Sequence, residues 1–337
     1  MAKGFLSRIT YNNWLWILGL LLLLLSVVFQ TLTGGKPIDS YSTEFPLDGL
    51  PGLGGLVATL KTFCSNSLLK NGFSLIALLT GGIIIQHFSS NNRLIRVRSF
   101  FPFFWYCVLG ASLFPFVEQP IVYVAGILLV GACYRIFSVS EKKDLNRAMF
   151  DASLLLALAS LVFNRLTWLL PFFWLAAARV QSLSGRNIVA SLVGFFSLYW
   201  MIGGVSYLQG DYHYLLGWLD GVWKFNLMDF SALSPIAVVY LVFMGFLFLI
   251  SIGSFVQQQN QDKLTTRNHF YAVLTLWLGG FGVWLTSTSS NTSFLFLLTI
   301  PTLIFFSHFF SLKDQPFTRF LFFVQLTVSF LAFFFYH

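Results

Sequence analysis

Charge is what this chain has least of. Only 9% of its 337 residues are Asp, Glu, Lys or Arg, where soluble domains carry about 25%. A surface that poor in charge excludes a soluble enzyme, a nucleic-acid-binding domain and a disordered chain. Cysteine is nearly as scarce. Cys64, Cys107 and Cys133 fall in unrelated segments, with no CxxC pair and no His at ligand spacing. Neither a disulfide framework nor a metal site is legible in them. There is no Walker phosphate loop, which excludes ATP hydrolysis. No paired intramembrane histidines suit a haem, and no row of intramembrane carboxylates suits a proton pump. The two halves carry no matching Gly/Pro-broken helices of the secondary-transporter kind. Heptads, internal repeats and low-complexity tracts are missing too.

What is present is apolar. Hydrophobic residues make up 57% and aromatic residues 19%, with 41 Phe, and mean hydropathy is +0.77. A membrane crossing takes roughly 20 apolar residues, with a range of about 17–25. That ruler predicts spans at 13–32, 71–87, 100–116, 120–137, 149–163, 166–180, 188–208, 233–254, 269–287, 293–311 and 317–336. The fold class expected is therefore all-α, a polytopic helical bundle of about eleven transmembrane helices, read as one membrane domain over 1–337. Lys3 and Arg8 precede the first run and no small-residue cleavage site follows it, so it reads as a retained first span.

The charges that do occur are sorted by loop. With the first residues in the cytoplasm, 15 of the 20 basic residues fall in alternate loops assigned to that side, as positive-inside bias requires. The opposite side keeps Lys36, Lys61, Lys70, Arg165 and Lys224, together with seven of the twelve acids. The predicted C-terminus is then external. Segments 149–163 and 166–180 are short, at about 22 Å for fifteen residues. They read as two short spans or a re-entrant hairpin with Asn164-Arg165 at its tip. One long helix would invert every later loop, and is rejected.

Only loops 33–70 and 209–232 are long enough to hold a site, and both are external. In the first, Asp39, Glu44 and Asp48 fall within ten positions, followed by helix-breaking glycines and a proline. An amphipathic stretch over 55–69 follows, suited to lying in the headgroup region. The loop reads either as a solvated brace or as the source of a general base or divalent-metal carboxylate beside the membrane. In the second, His213, Asp220 and Lys224 share one helical face, and Tyr212, Tyr214, Trp218 and Trp223 form an aromatic belt. It reads as an interfacial helix or as a sugar-binding lip. Asp151 is expected to pair with Arg147 one turn earlier, or to act in the mechanism. Arg165 is expected to face outward, snorkelling or holding a lipid phosphate. His87 and His308 read as packing residues. The basic run Asn91–Arg98 reads as a topology determinant.

Residues 144–200, DLNRAMFDASLLLALASLVFNRLTWLLPFFWLAAARVQSLSGRNIVASLVGFFSLYW, resemble the most recognisable stretch of an uncharacterised family of Bacteroidota multi-pass membrane proteins, a domain of unknown function. The same stretch is more distantly similar to the hairpin and basic turn of GT-C glycosyltransferases. That resemblance implies an envelope enzyme of the bacterial inner membrane, using polyprenyl-phosphate sugars on the external side. It places the catalytic acid in the first external loop, at Glu44 or Asp48, with Asp39 third. Arg165 or Lys224 would hold the lipid phosphate, and His213, Trp218 and Asp220 the sugar. The adjacent acid pair common in that loop of the family is missing here. Two readings therefore stand beside the enzyme: a non-enzymatic scaffold or assembly subunit with envelope protein partners, and a lipid or glycan transporter. Membrane lipids are partners in all three; nucleic acid is in none.

Overall fold

Asn66 opens the second helix by accepting a hydrogen bond from the Leu68 backbone N–H, at 3.1 Å, which satisfies one orphan donor of the first turn. The computed structural model describes residues 14–33, 66–92, 94–95, 99–117, 120–139, 145–180, 183–210, 219–223, 225, 235–286, 294–312 and 315–335. Among these residues the ordered elements are helices, with no strand. In chain order they are α1 (Trp14–Thr33), α2 (Ser67–Asn91), α3 (Phe101–Leu113), α4 (Ile121–Phe137), α5 (Leu145–Val162), α6 (Leu170–Val180), α7 (Gly185–Gln209), α8 (Pro235–Gln258), α9 (Leu264–Leu285), α10 (Phe294–Leu312) and α11 (Pro316–Phe335). Six of them, α1, α2, α5, α7, α8 and α10, are long and apolar enough to cross a membrane; α3, α4 and α11 are shorter apolar helices.

Contacts between the helix ends sort the bundle into two layers. At one end, Asn91 reaches Tyr134, Phe137 stacks on His269, Asp262 meets His308, and Phe101 packs against Phe322. At the other, Phe114 stacks on Tyr123 and Phe163 meets Phe294. Seven of the nine described basic residues belong to the first layer, by their places at helix ends: Arg135, Arg147, Arg179, Arg186, Lys263, Arg267 and Arg319. The exposed faces are as apolar as the interior. Trp200 on α7 is 84% exposed, and Leu32, Val239, Val242 and Leu249 stand open as well.

Close approaches set the packing. Gly81 on α2 leaves room for the Tyr106 ring, since a Cβ there would lie 2.7 Å from the ring carbon that bears the hydroxyl. α5 and α7 run parallel: Gly194 abuts Phe150 and Ser153, and further along both helices Ser160 bonds Tyr199 at 2.7 Å. Parallel neighbours require the chain to return between them. The 3-10 turn Asn164–Leu169 and α6 make that return, at about 2.0 Å and 1.5 Å per residue. The chain therefore turns back within 149–180, as either two short spans or a re-entrant hairpin requires, and is not one long helix. Its first arm starts earlier, at Leu145, and the helical part of its second arm starts at Leu170. α10 is the most enclosed long helix, and its Phe296, Phe305 and Phe306 are buried against α3, α4, α8 and α9.

Candidate functional site

The hairpin tip begins where Phe163 turns extended after α5. Asn164–Leu169 then tighten into a 3-10 helix, with the Thr167 hydroxyl donating to the Asn164 carbonyl at 2.7 Å. The second long loop reaches this tip. Its residues 219–223 are helical, and the Trp168 indole N–H donates to the Val222 carbonyl at 3.1 Å. The Trp168 ring meets Trp223 edge-on at 5.3 Å and Phe225 at 5.4 Å. Gly221 lies close against the Asn164 side chain, and a Cβ there would push the Asn164 amide aside. Trp223 and Phe225 remain 64% and 50% exposed, and Asp220 is exposed. The clamp thus presents flat aromatic surface and a carboxylate.

Arg165 differs from its expected place. It is only 8% exposed, packed into the tip instead of facing outward, and the desolvation lowers its pKa below the ordinary value. It keeps its charge, since a guanidinium starts far above neutral pH. Its neighbours Leu166 and Leu169 help wall an apolar central cavity of about 60 Å³, with Phe294, Leu297 and Pro301 opposite. Of the residues singled out in the sequence, the structure brings Arg165 and Asp220 to the same end of the bundle. Asp39, Glu44, Asp48, His213, Trp218 and Lys224 lie outside the described residues.

The basic end holds the polar pairs that sequence reasoning assigned otherwise. Asp151 pairs with Arg135 across the α4–α5 contact, while Arg147 is exposed; the intrahelical pair is replaced by an interhelical one. His308 faces Asp262 at 3.5 Å, with both side chains almost fully buried, and is boxed by the rings of Phe255 and Phe270. Asp262 closes the polar run Gln257–Gln261, which reads only as a loop. His87 bonds Asn91 at 2.9 Å. Among the described residues, no three His, Cys, Asp or Glu side chains gather to hold a metal ion.

Deeper in the bundle, the Tyr240 hydroxyl shares a 2.6 Å bond with Ser112. Gln325 donates to Ser329 and to the Met244 sulfur, each at 3.0 Å. This chain ties α3, α8 and α11 together where water cannot serve as partner. No known family, curated protein or solved structure matches the chain.

Proposed function

We propose that the chain is a multi-pass protein of a bacterial inner membrane, crossing it about eleven times with its N-terminus in the cytoplasm and its C-terminus outside. At the external face it transfers or polymerises sugar from a polyprenyl-phosphate-linked donor, in the manner of the GT-C enzymes it resembles. The observation that carries this reading is the clamp of residues 219–223 on the hairpin tip through Trp168 and Val222. It gathers a cation, a carboxylate and exposed aromatic rings at the end of the bundle opposite the basic layer. Aromatic faces suit pyranose rings, and a partly desolvated cation suits a phosphate.

In this reading Glu44 or Asp48, with Asp39 third, takes the proton of the acceptor hydroxyl. The acceptor oxygen bonds the anomeric carbon as the bond to the lipid phosphate breaks. The leaving phosphate keeps the electron pair, and Arg165 or Lys224 meets its charge. His213, Trp218 and Asp220 contact the sugar.

The burial of Arg165 favours a second reading, in which the tip is an assembly surface of a non-enzymatic subunit. Amide variants separate the two. Glu44→Gln with Asp48→Asn should abolish the cell's glycan product while protein level holds, because losing a general base costs about 10²–10⁴-fold in rate. Wild-type product from the triple variant that adds Asp39→Asn would overturn the enzyme reading in favour of the scaffold.

A further inference from the structure

α8 and α9 follow one another in the chain, and their ring contacts run from the shared turn to about midway along them. At the turn the Phe255 ring meets Phe270 at 4.7 Å, and the Tyr271 hydroxyl donates to Gln259 at 2.5 Å. The last ring contact between them is Phe248 with Trp277, at 4.4 Å. Beyond it the helices part, and a crevice of about 390 Å³ opens over α10. We propose that this crevice binds one unbranched hydrocarbon chain of a membrane lipid.

The dimensions select the occupant. Val238 to Leu249 line the crevice along α8, a length of about 17 Å at 1.5 Å per residue. Volume over length gives a section of about 23 Å². A helix with its side chains is about 10–12 Å across, about twice the width of such a section. At about 30 Å³ for each water-sized group, the crevice holds about 13 methylenes. Carbons joined by bonds of about 1.5 Å advance about 1.3 Å each, so 13 of them extend about 17 Å. Length and volume agree on one chain.

The lining chemistry agrees as well. Its hydroxyls are spent on the protein: Thr299 donates to Phe296 O, and Thr302 donates to Leu298 O while accepting from the Trp277 indole. Tyr240 is turned inward to Ser112. Trp277, Phe281 and Trp284 form a continuous aromatic wall. Gly245 lines the crevice, and a Cβ there would meet no protein atom within 4 Å. Protein packing therefore leaves room for a side chain at this position, and one would extend into the crevice.

The test reconstitutes the full chain in phosphatidylcholine vesicles whose acyl chains carry a diazirine midway, with adducts mapped by peptide mass spectrometry after irradiation. Adducts should concentrate on Met244 and Trp277, well above those on Phe196 and Trp200 of the open α7 face. Gly245→Phe should bring the crevice signal down to the α7 level while leaving α7 unchanged; Gly245→Leu serves if the larger ring impairs folding. Equal labelling of crevice and open face in the wild type would overturn the proposal. So would crevice labelling that survives both substitutions, or an unlabelled crevice covered by a second copy or by the chain itself.

Discussion

Replacing Gly194 with alanine probes the parallel contact of α5 and α7, on which the course of the hairpin depends. An added Cβ would stand 2.4 Å from the Phe150 carbonyl oxygen and 2.6 Å from the Ser153 hydroxyl. Ser153 can rotate away, although its bond to the Met149 carbonyl goes with it. Phe150 O cannot, because it belongs to the helix backbone. Relief to ordinary contact therefore takes about 1 Å of helix separation, and overpacking of this kind costs about 1–3 kcal/mol. Alanine returns up to about 1 kcal/mol of helix propensity, leaving a net loss of up to about 2 kcal/mol. Gly204→Ala on the same helix is the control, since its Cβ meets nothing within 4 Å; it should be neutral or slightly stabilising. The measurement is thermal unfolding of both variants in detergent. If Gly194→Ala melts at or above the wild type, or the two variants shift alike, the close parallel packing is wrong.

Two further outcomes are expected. Asp262→Ala should destabilise by about 1–3 kcal/mol, because it leaves the buried His308 imidazole without its polar neighbour, whereas Asp151→Ala should cost at most about 1 kcal/mol, its pair with Arg135 being partly solvated; equal losses in the same unfolding assay would refute the contrast. Cysteine at Ser65 or Asp220 should react with an impermeant thiol reagent applied to intact cells, while cysteine at Asn92 or Ser140 should not, and labelling at Asn92 would reverse the proposed orientation. Asp220 serves better than Gly221 for this purpose, since a side chain at Gly221 runs into Asn164.

Helix positions were legible because each depends on local composition. The apolar runs and the sorting of basic residues by loop lie within a few residues of what they determine. Partners across helices were not legible. Spacing along α5 pointed Asp151 to Arg147 by the one-turn rule, but the side chain turns to Arg135 on a helix whose adjacency no local pattern states. His308 looked solitary because its partner stands in a glutamine-rich turn far back in the chain. Arg165 was legible as part of a hairpin tip, but its burial was not, since no local pattern states what packs around the tip. At the site, the clamp depends on one indole N–H and one absent side chain, Trp168 and Gly221. The aromatic belt around 212–223 hinted at the first; nothing local hinted at the second.

The short return helix also constrains how the protein is made. α6 reaches only about 17 Å, too little to insert by itself, so in the proposed topology it enters the bilayer as the second arm of a hairpin with α5. Its resting place is incomplete at that moment. Phe172 lies where a Cβ on Gly279 of α9 would collide with its ring, at 2.4 Å, and Gly279 is synthesised about 100 residues later. At the usual pace of about 5–20 residues per second, that is a delay of about 5–20 s. During that interval the nascent hairpin must be shielded by lipid, by the insertion machinery or by a chaperone. A change that weakens α9 against Phe172 would then show first as degradation of the newborn chain, before any defect in the mature one.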